Sequence, residues 1–296
     1  MSNYDLYVSP GNVFSGYQKS FEKAEYVVVG VPFDLTSTYR TGARFAPLAI
    51  REASLNIETY SFRSNVDVED LKIHDLGDLH ISNNVGTTLK RLEDAVKDLL
   101  KAKKTPVLVG GEHTVTLGAM KGVGGENTAV ISFDAHLDLR DNYMDLNISH
   151  TTFMRRLNEQ AKPKKIVEVG TRAVCREELA YAKKAGIQYF TMKQIRELGS
   201  IQTVKAIKEA VEDCRTVYLT IDMDVLDPAF APAVQNPEPD GLTTQALLEL
   251  VCSLCDRRTV GLDLVEVTPP YDKGATVIHA AKTLFEALCQ IEARKD

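Results

Sequence analysis

About eight short apolar runs punctuate the chain, at 26–31, 72–78, 105–111, 127–136, 165–171, 187–192, 216–224 and 259–267. Several are apolar nearly throughout, such as "YVVVGV" and "TPVLVGG". A strand covered on one face alternates apolar and polar residues, whereas one covered on both faces need not. These runs therefore predict strands buried on both sides. Between them, apolar residues recur at helical spacing. Leu89, Leu92, Val96 and Leu99 form one stripe; Val204, Ile207 and Val211 form a second; Leu284, Phe285, Leu288 and Ile291 form a third. Strand–helix alternation predicts right-handed crossovers and an α/β fold, a mainly parallel sheet of about eight strands with helices on both faces. There is no internal repeat, and the Gly-rich stretch 121–127 is too short to separate domains. A single domain over 1–296 is expected.

The polar residues that break this pattern sit at the C-terminal ends of the runs. "VLVGG" leads into "EHT" with His113, and "AVISF" into Asp134, His136 and Asp138. "VYLTI" leads into Asp222 and Asp224, and "GLDLVEV" contains Glu266. Open parallel sheets bind ligands beyond that edge. In an extended strand, residues i, i+2 and i+4 point to one side. If that geometry persists past the sheet, Asp134, His136 and Asp138 converge, and Asp222 with Asp224 meets them from another strand. Four carboxylates brought together repel and raise one another's pKa values. Two divalent cations neutralise them where one does not. Oxygen-rich ligands with a minority of His and no thiolate favour a metal such as Mn²⁺ over zinc. Each piece alone could be a turn or a helix cap; it is their shared location that argues for a common metal site.

Composition narrows the class only slightly. Hydrophobic residues at 44% and charged residues at 26% suit a soluble globular protein. A formal net charge of −6 argues against a nucleic-acid partner and suits a cationic small molecule. The five cysteines, Cys175, Cys214, Cys252, Cys255 and Cys289, are odd in number and scattered, which fits a reducing compartment. No signal pattern or membrane-length apolar run is present, so a cytoplasmic protein without membrane contact is expected. The C-x-x-C at 252–255 lies in a helical pattern and reads as buried helix-face thiols.

Six segments, in order, resemble the ureohydrolases, the arginase/agmatinase superfamily. They are "GVPFD" (30–34), "GARFAPLAIR" (42–51), "GGEHT" (110–114), "SFDAHLD" (132–138), "TIDMDVLDPAFAP" (220–232) and "GLDLVEVTPPYD" (261–272). Ala46 stands where the family usually has Gly, and Thr41 where it often has Pro, which touches a loop shape rather than the cluster. The resemblance implies a three-layer α/β/α, arginase-like fold with two Mn²⁺ per chain. His113, Asp134, Asp138 and Asp222 would hold one ion, and Asp134, His136, Asp222 and Asp224 the other. It sets Glu266 against the substrate's guanidinium, though a strand-end Glu could also be an ordinary surface residue. His150, in "NISHTTFMRR", resembles the family's proton-shuttle His, though it could equally begin a helix. Members form trimers or hexamers, so a homo-oligomer is expected by analogy.

The guanidinium carbon is a poor electrophile, and hydroxide is scarce at neutral pH; water acidified by metals supplies the nucleophile. Collapse releases urea and an amine, which Asp138 can protonate. The expected substrate is a small cationic guanidino compound. The segments "NPEPDGLT" (236–243) and "SHTTFMRR" (149–156) look more like agmatinases than arginases, which predicts cleavage of agmatine to putrescine and urea. Asp141 and Asp145 are candidate acidic rim residues. Arg140 is expected to face away and pair with an acidic neighbour, unless it reads a carboxylate, as in guanidinobutyrate or formiminoglutamate. Arginase, guanidinobutyrase and formimidoylglutamase activities are the alternatives. A one-zinc deacetylase and an inactive regulatory relative are the more distant rivals.

Overall fold

The computed structural model describes residues 2–9 and 12–295; residues 1, 10, 11 and 296 of the expected domain lie outside that range. In chain order the elements are α1 (Asn3–Tyr7), β1 (Val8–Ser9), β2 (Tyr26–Val31), α2 (Ala46–Ser54), β3 (Tyr60–Ser61), β4 (Val66–Asp67) and β5 (Ile73–Leu79). Then come α3 (Val85–Lys101), β6 (Thr105–Gly110), α4 (Val115–Val123), β7 (Thr128–Phe133), α5 (Phe153–Gln160), β8 (Lys165–Thr171) and α6 (Arg176–Ala185). The chain finishes with β9 (Gln188–Thr191), α7 (Met192–Ala210), β10 (Thr216–Asp222), α8 (Thr244–Leu254), β11 (Thr259–Val265) and α9 (Ala275–Ala293).

One sheet runs β1-β5-β2-β6-β11-β10-β7-β8-β9. Its eight longer strands pair in parallel, and only the two-residue β1 lies antiparallel at the edge. All eight predicted runs are strands of this sheet. Their apolar character follows from alternation between two cores. Tyr26 and Val28 of β2 join one core with Ile50 of α2, Leu250 of α8 and Leu284 of α9. Val27, Val29 and Val31 join the other with Leu92 of α3, Leu117 of α4 and Leu157 of α5. That is the three-layer α/β/α arrangement, each strand giving alternate residues to opposite helix layers. The stripe on α3 and the stripe on α9 are buried as their spacing predicts. The stripe at 204–211 is buried too, with Ile207 and Val211 in the first core and Val204 packed against it; Val211 caps α7, whose break at Gly199 (φ 74°) lies before the stripe. Cys252 lies on α8 and Cys255 caps it, both buried.

Strand order places β6, β11, β10 and β7 side by side at the sheet centre. Their C-terminal ends therefore open at one point on one edge, and all the candidate site residues leave from there.

Candidate metal centre

Each of the four strands delivers its polar residue through a local turn. After β6 the chain passes Gly110 and Gly111. A Cβ at Gly111 would lie 1.8 Å from the Phe33 carbonyl oxygen, so only glycine allows this close approach. The Gly111 N–H donates to Val31 O at 2.9 Å and its carbonyl accepts the Glu266 N–H at 2.8 Å. The His113 N–H donates to Glu266 Oε1 at 2.6 Å. Glu266 adopts φ 69°, a left-handed conformation just past β11. The β6 and β11 exits are thus tied together by two hydrogen bonds, which fixes His113 beside Glu266.

The geometry after β7 differs from the sequence expectation. The strand ends at Phe133, and Asp138 has φ 51°, so 134–138 is not extended. Convergence comes instead from a turn. Asp134 Oδ1 accepts the His136 N–H at 2.6 Å, and the Ala135 N–H donates to Asp224 Oδ1 at 3.1 Å. Likewise Asp222 ends β10 and Asp224 lies on a short 3₁₀ turn, with the Asp224 N–H donating to Asp222 Oδ1 at 2.7 Å. Side chains that accept from the backbone two residues on are a standard device of tight turns. Here they aim the remaining carboxylate oxygens at one centre.

That centre holds two overlapping triads, His113/Asp134/Asp222 and Asp134/His136/Asp224, whose ligand atoms within each triad lie within 4.8 Å of one another. His113 Nδ1 is 3.0 Å from Asp134 Oδ2, 3.2 Å from Asp222 Oδ2 and 3.8 Å from Asp138 Oδ2. His136 Nδ1 is 3.0 Å from Asp224 Oδ2 and 3.4 Å from Asp134 Oδ1. The six predicted ligands therefore come together, with Asp134 shared and Asp138 slightly outside the first triad. Among the described residues no Lys or Arg pairs with any of the four carboxylates.

A polar layer inside the sheet supports His113. Its Nε2 lies 2.7 Å from Thr220 Oγ1. The Thr220 hydroxyl donates to Asp263 Oδ1 at 2.5 Å, and Asp263 also accepts Tyr218 and Thr116 hydroxyls at 2.8 and 2.9 Å. With its own proton directed at Asp263, Thr220 can only accept from His113. When neutral, the ring is thereby fixed as the Nε2–H tautomer, with its Nδ1 lone pair facing the carboxylates. This buried Nδ1 makes no hydrogen bond. Orphaned buried polar atoms are uncommon and costly, and a ligand-oriented imidazole held by its other nitrogen is how metal-binding His is usually presented. The donor set fits a hard to borderline divalent cation.

The electrostatics agree. Burial opposes a charged His113, but the Asp134 carboxylate 3.0 Å from Nδ1, with help from Asp138, outweighs it and raises its pKa to about 9. Burial likewise opposes charge on His136, and Asp224 and Asp134 overcome it. Burial pushes Asp138 and Asp222 well above the usual carboxylate range, reinforced by neighbouring aspartates. Burial also pushes Asp134 upward, but the close His113 and His136 rings prevail and hold it low. Glu266 is raised chiefly by burial.

His150 lies beside the cluster, buried, with Nδ1 4.0 Å from Glu266 Oε1 and Nε2 3.0 Å from Thr38 Oγ1. Burial lowers its pKa to about 3. Above the cluster is a cavity of ≈ 420 Å³ whose lining includes Thr38, His136, Asp138, Arg140, Asn236 and Glu238. Arg140 is the main departure at the rim. Among the described residues it has no acidic partner; its guanidinium stacks on Tyr143, 5.0 Å from the ring centroid, and lines the cavity. Asp141 is engaged by Arg155 and Arg156 and, like the exposed Asp145, does not line the cavity. Glu178 and Glu238 are the acidic wall residues besides Asp138. Arg172 also faces the cavity, but its guanidinium donates to six backbone carbonyls of the surrounding loops. Thr38 and Arg172 carry no sequence signal beyond following a strand; Thr220 and Asp263 lie inside the family-like segments 220–232 and 261–272, but nothing there marks them as supports of His113.

Comparison with known proteins agrees with this geometry. The Arginase family model matches residues 24–289. An agmatinase from Bacillus anthracis is 36% identical over 284 residues, covering 94% of this chain and 96% of that protein. A guanidinopropionase from Pseudomonas aeruginosa is 35% identical over 271 residues, covering 88% of this chain and 85% of that protein. The crystal structure of agmatine ureohydrolase from Thermoplasma volcanium superposes with a TM-score of 0.89 at 33% identity, covering 96% of this chain and 95% of that one. With matches of this extent over its fold and its site segments, the chain belongs to the arginase family, on the agmatinase side of the arginase/agmatinase superfamily.

Proposed function

We propose that this protein hydrolyses the guanidino group of agmatine to putrescine and urea with two Mn²⁺ ions. The observation that carries the reading is the pair of triads sharing Asp134, buried apart from the half-buried His136, with Glu266 beside them and a polar cavity above. The agmatinase and agmatine ureohydrolase likenesses support the substrate. In this reading His113, Asp134, Asp138 and Asp222 hold one ion, and Asp134, His136, Asp222 and Asp224 hold the other. Bound there, the ions would acidify water and supply a nucleophile at neutral pH.

The chain's own groups do the rest. Glu266 receives the guanidinium; a carboxylate can accept two of its N–H groups side by side. The His113 N–H on Glu266 Oε1 keeps that carboxylate oriented. Hydrolysis breaks the bond between the guanidino carbon and the alkyl nitrogen, and the departing amine takes up a proton. Asp138, at the floor of the cavity, hands that proton over. His150, neutral at working pH, exchanges protons at Nδ1. We take the enzyme to be a cytoplasmic homo-oligomer of one domain per chain.

Urea release is measured with agmatine, arginine and guanidinobutyrate, with added Mn²⁺ and after chelation. Agmatine is expected to react fastest and only with metal present; no urea from any of the three overturns the reading. A second reading rests on Arg140. A cation lining the cavity without a carboxylate partner among the described residues suits a guanidino acid, and one relative is a guanidinopropionase. Adding guanidinopropionate to the panel ranks the two.

A further inference from the structure

The loop leaving β2 crosses over the site and carries three consecutive hydroxyl residues, Thr36, Ser37 and Thr38. Two of them hold His150. The Thr36 N–H donates to Glu112 Oε2 at 2.8 Å and its hydroxyl donates to Glu112 Oε1. Thr36 Oγ1 in turn accepts the His150 backbone N–H at 3.1 Å. Glu112 is fully buried next to His113, so this anchor is rigid. Two residues on, Thr38 Oγ1 lies 3.0 Å from His150 Nε2. Asn236 Nδ2 donates to the same hydroxyl at 3.5 Å. The imidazole is thus gripped at Nε2, and its Nδ1 is turned toward Glu266 Oε1, 4.0 Å away. That separation is too long for a direct hydrogen bond and leaves Nδ1 open to a bound molecule.

We infer that Thr38 is a positioning residue for His150, holding the ring by Nε2 so that Nδ1 alone exchanges protons with the reacting groups. This rests on the ureohydrolase reading above. A hydroxyl suits the task because it both donates and accepts. It accepts when Nε2 carries a proton and donates when Nε2 is bare, so the ring keeps its orientation while its protonation changes. A carboxylate in that place would pin a proton on Nε2. An aliphatic group would leave a buried nitrogen without a partner and free the ring to turn.

The test uses the full-length, Mn²⁺-loaded protein and the best substrate of the urea panel. Thr38→Val keeps the shape and removes the hydroxyl; Thr38→Ser keeps the hydroxyl. For both, and for His150→Asn and the Thr38→Val/His150→Asn double variant, kcat and KM are measured across pH 6–10, with bound manganese determined by elemental analysis. Thr38→Val is expected to lower kcat roughly tenfold with KM little changed, as for loss of an oriented proton-transfer group. Thr38→Ser should stay within about threefold of the unaltered protein. The double variant should be no slower than His150→Asn alone. Multiplying losses in the double variant, a loss confined to KM, a fall in bound manganese, or an unaffected Thr38→Val each overturns the inference while the ureohydrolase reading stands. An unaltered protein silent on every substrate overturns that reading, and this inference with it.

Discussion

Two clusters of buried charge sit on the same sheet and are balanced in different ways. Between β2 and β5, Arg51 is almost wholly buried and donates to Asp75 through Nε and Nη2 at 2.8 and 2.9 Å, to Asp78 at 2.5 Å and to Gly77 O at 2.9 Å. Asp75 also accepts the Phe14 and Gly77 N–H groups, at 2.7 and 2.9 Å. A Cβ at Gly30 would fall 1.9 Å from Asp78 Oδ1, so glycine there makes room for the pair. This cluster brings its own cation and fills its hydrogen bonds. At the centre of the sheet, four aspartates face only two imidazoles, and one imidazole nitrogen is unpartnered. The first arrangement is complete within the chain. The second has a deficit of positive charge, and a folded protein tolerates that only where something from outside supplies it. The contrast separates a structural ion pair from a site better than either inventory of residues does.

The largest expected effect comes from the deficient cluster. Asp222→Asn removes a carboxylate from the site, and several kcal/mol of metal-derived transition-state stabilisation should go with it, roughly a 10³-fold loss in urea release. The same variant without metal should melt within about 1 kcal/mol of the unaltered metal-free protein, because burial already favours the neutral acid that Asn mimics. A large loss of metal-free stability would mean that the site is as self-sufficient as the Arg51 cluster.

Next in size is the converse. Arg51→Met leaves Asp75 buried without its cation, and breaking a buried pair from one side costs about 3–5 kcal/mol. Denaturant unfolding should show that loss with or without Mn²⁺. Equal stability in Arg51→Met would erase the distinction between the clusters.

The sequence made one half of this comparison legible and hid the other. Residue types and strand ends revealed the His/Asp cluster because D-x-H-x-D and D-x-D carry charge where apolar residues are expected. Arg51 lies in a helical segment and Asp75 in a strand, and nothing in either run says that they meet. The eight strands were readable because burial on both faces demands apolar residues. The turn at 134–138 was not, because alternation of residue types does not reveal where extended backbone stops; only the Asp134–His136 and Ala135–Asp224 hydrogen bonds do. Thr38 was invisible for a plainer reason, since hydroxyls are common in every loop.

A smaller effect is electrostatic linkage. In the metal-free protein His113 is raised to about 9 and Asp138 and Asp222 are held above the usual range, so protons occupy the site at neutral pH. Metal ligands must be unprotonated, so loading releases protons and tightens as pH rises. Stability follows the same sign. The protonated His113 contributes fully below about 6.5, its unfolded value, and the contribution is lost as pH climbs through about 9. Ionising the raised aspartates adds to that loss. The gap in melting temperature between Mn²⁺-loaded and metal-free protein should therefore widen from pH 6 to pH 8.5. A gap that narrows would show that the cluster is not held by protons in the metal's place.

The smallest effect tests Arg140, a cavity-lining cation with no acidic partner among the described residues. Arg51 is engaged by aspartates and the Gly77 carbonyl, and Arg172 by backbone carbonyls, whereas among the described residues Arg140 has the Tyr143 ring and no acidic partner. Agmatine carries a positive charge at both ends, so Arg140 repels its tail across a water-filled mouth. At high dielectric and physiological salt one such pair amounts to roughly 0.5–1 kcal/mol. Arg140→Ala should therefore raise kcat/KM for agmatine about threefold. For guanidinopropionate the sign reverses, because its carboxylate would lose an attractive partner. Raising the salt concentration should shrink both differences, since the interaction lies at a wet mouth rather than in the buried cluster. If both substrates respond alike and salt changes nothing, Arg140 serves as packing against Tyr143, and the charge at the mouth plays no part in choosing the substrate.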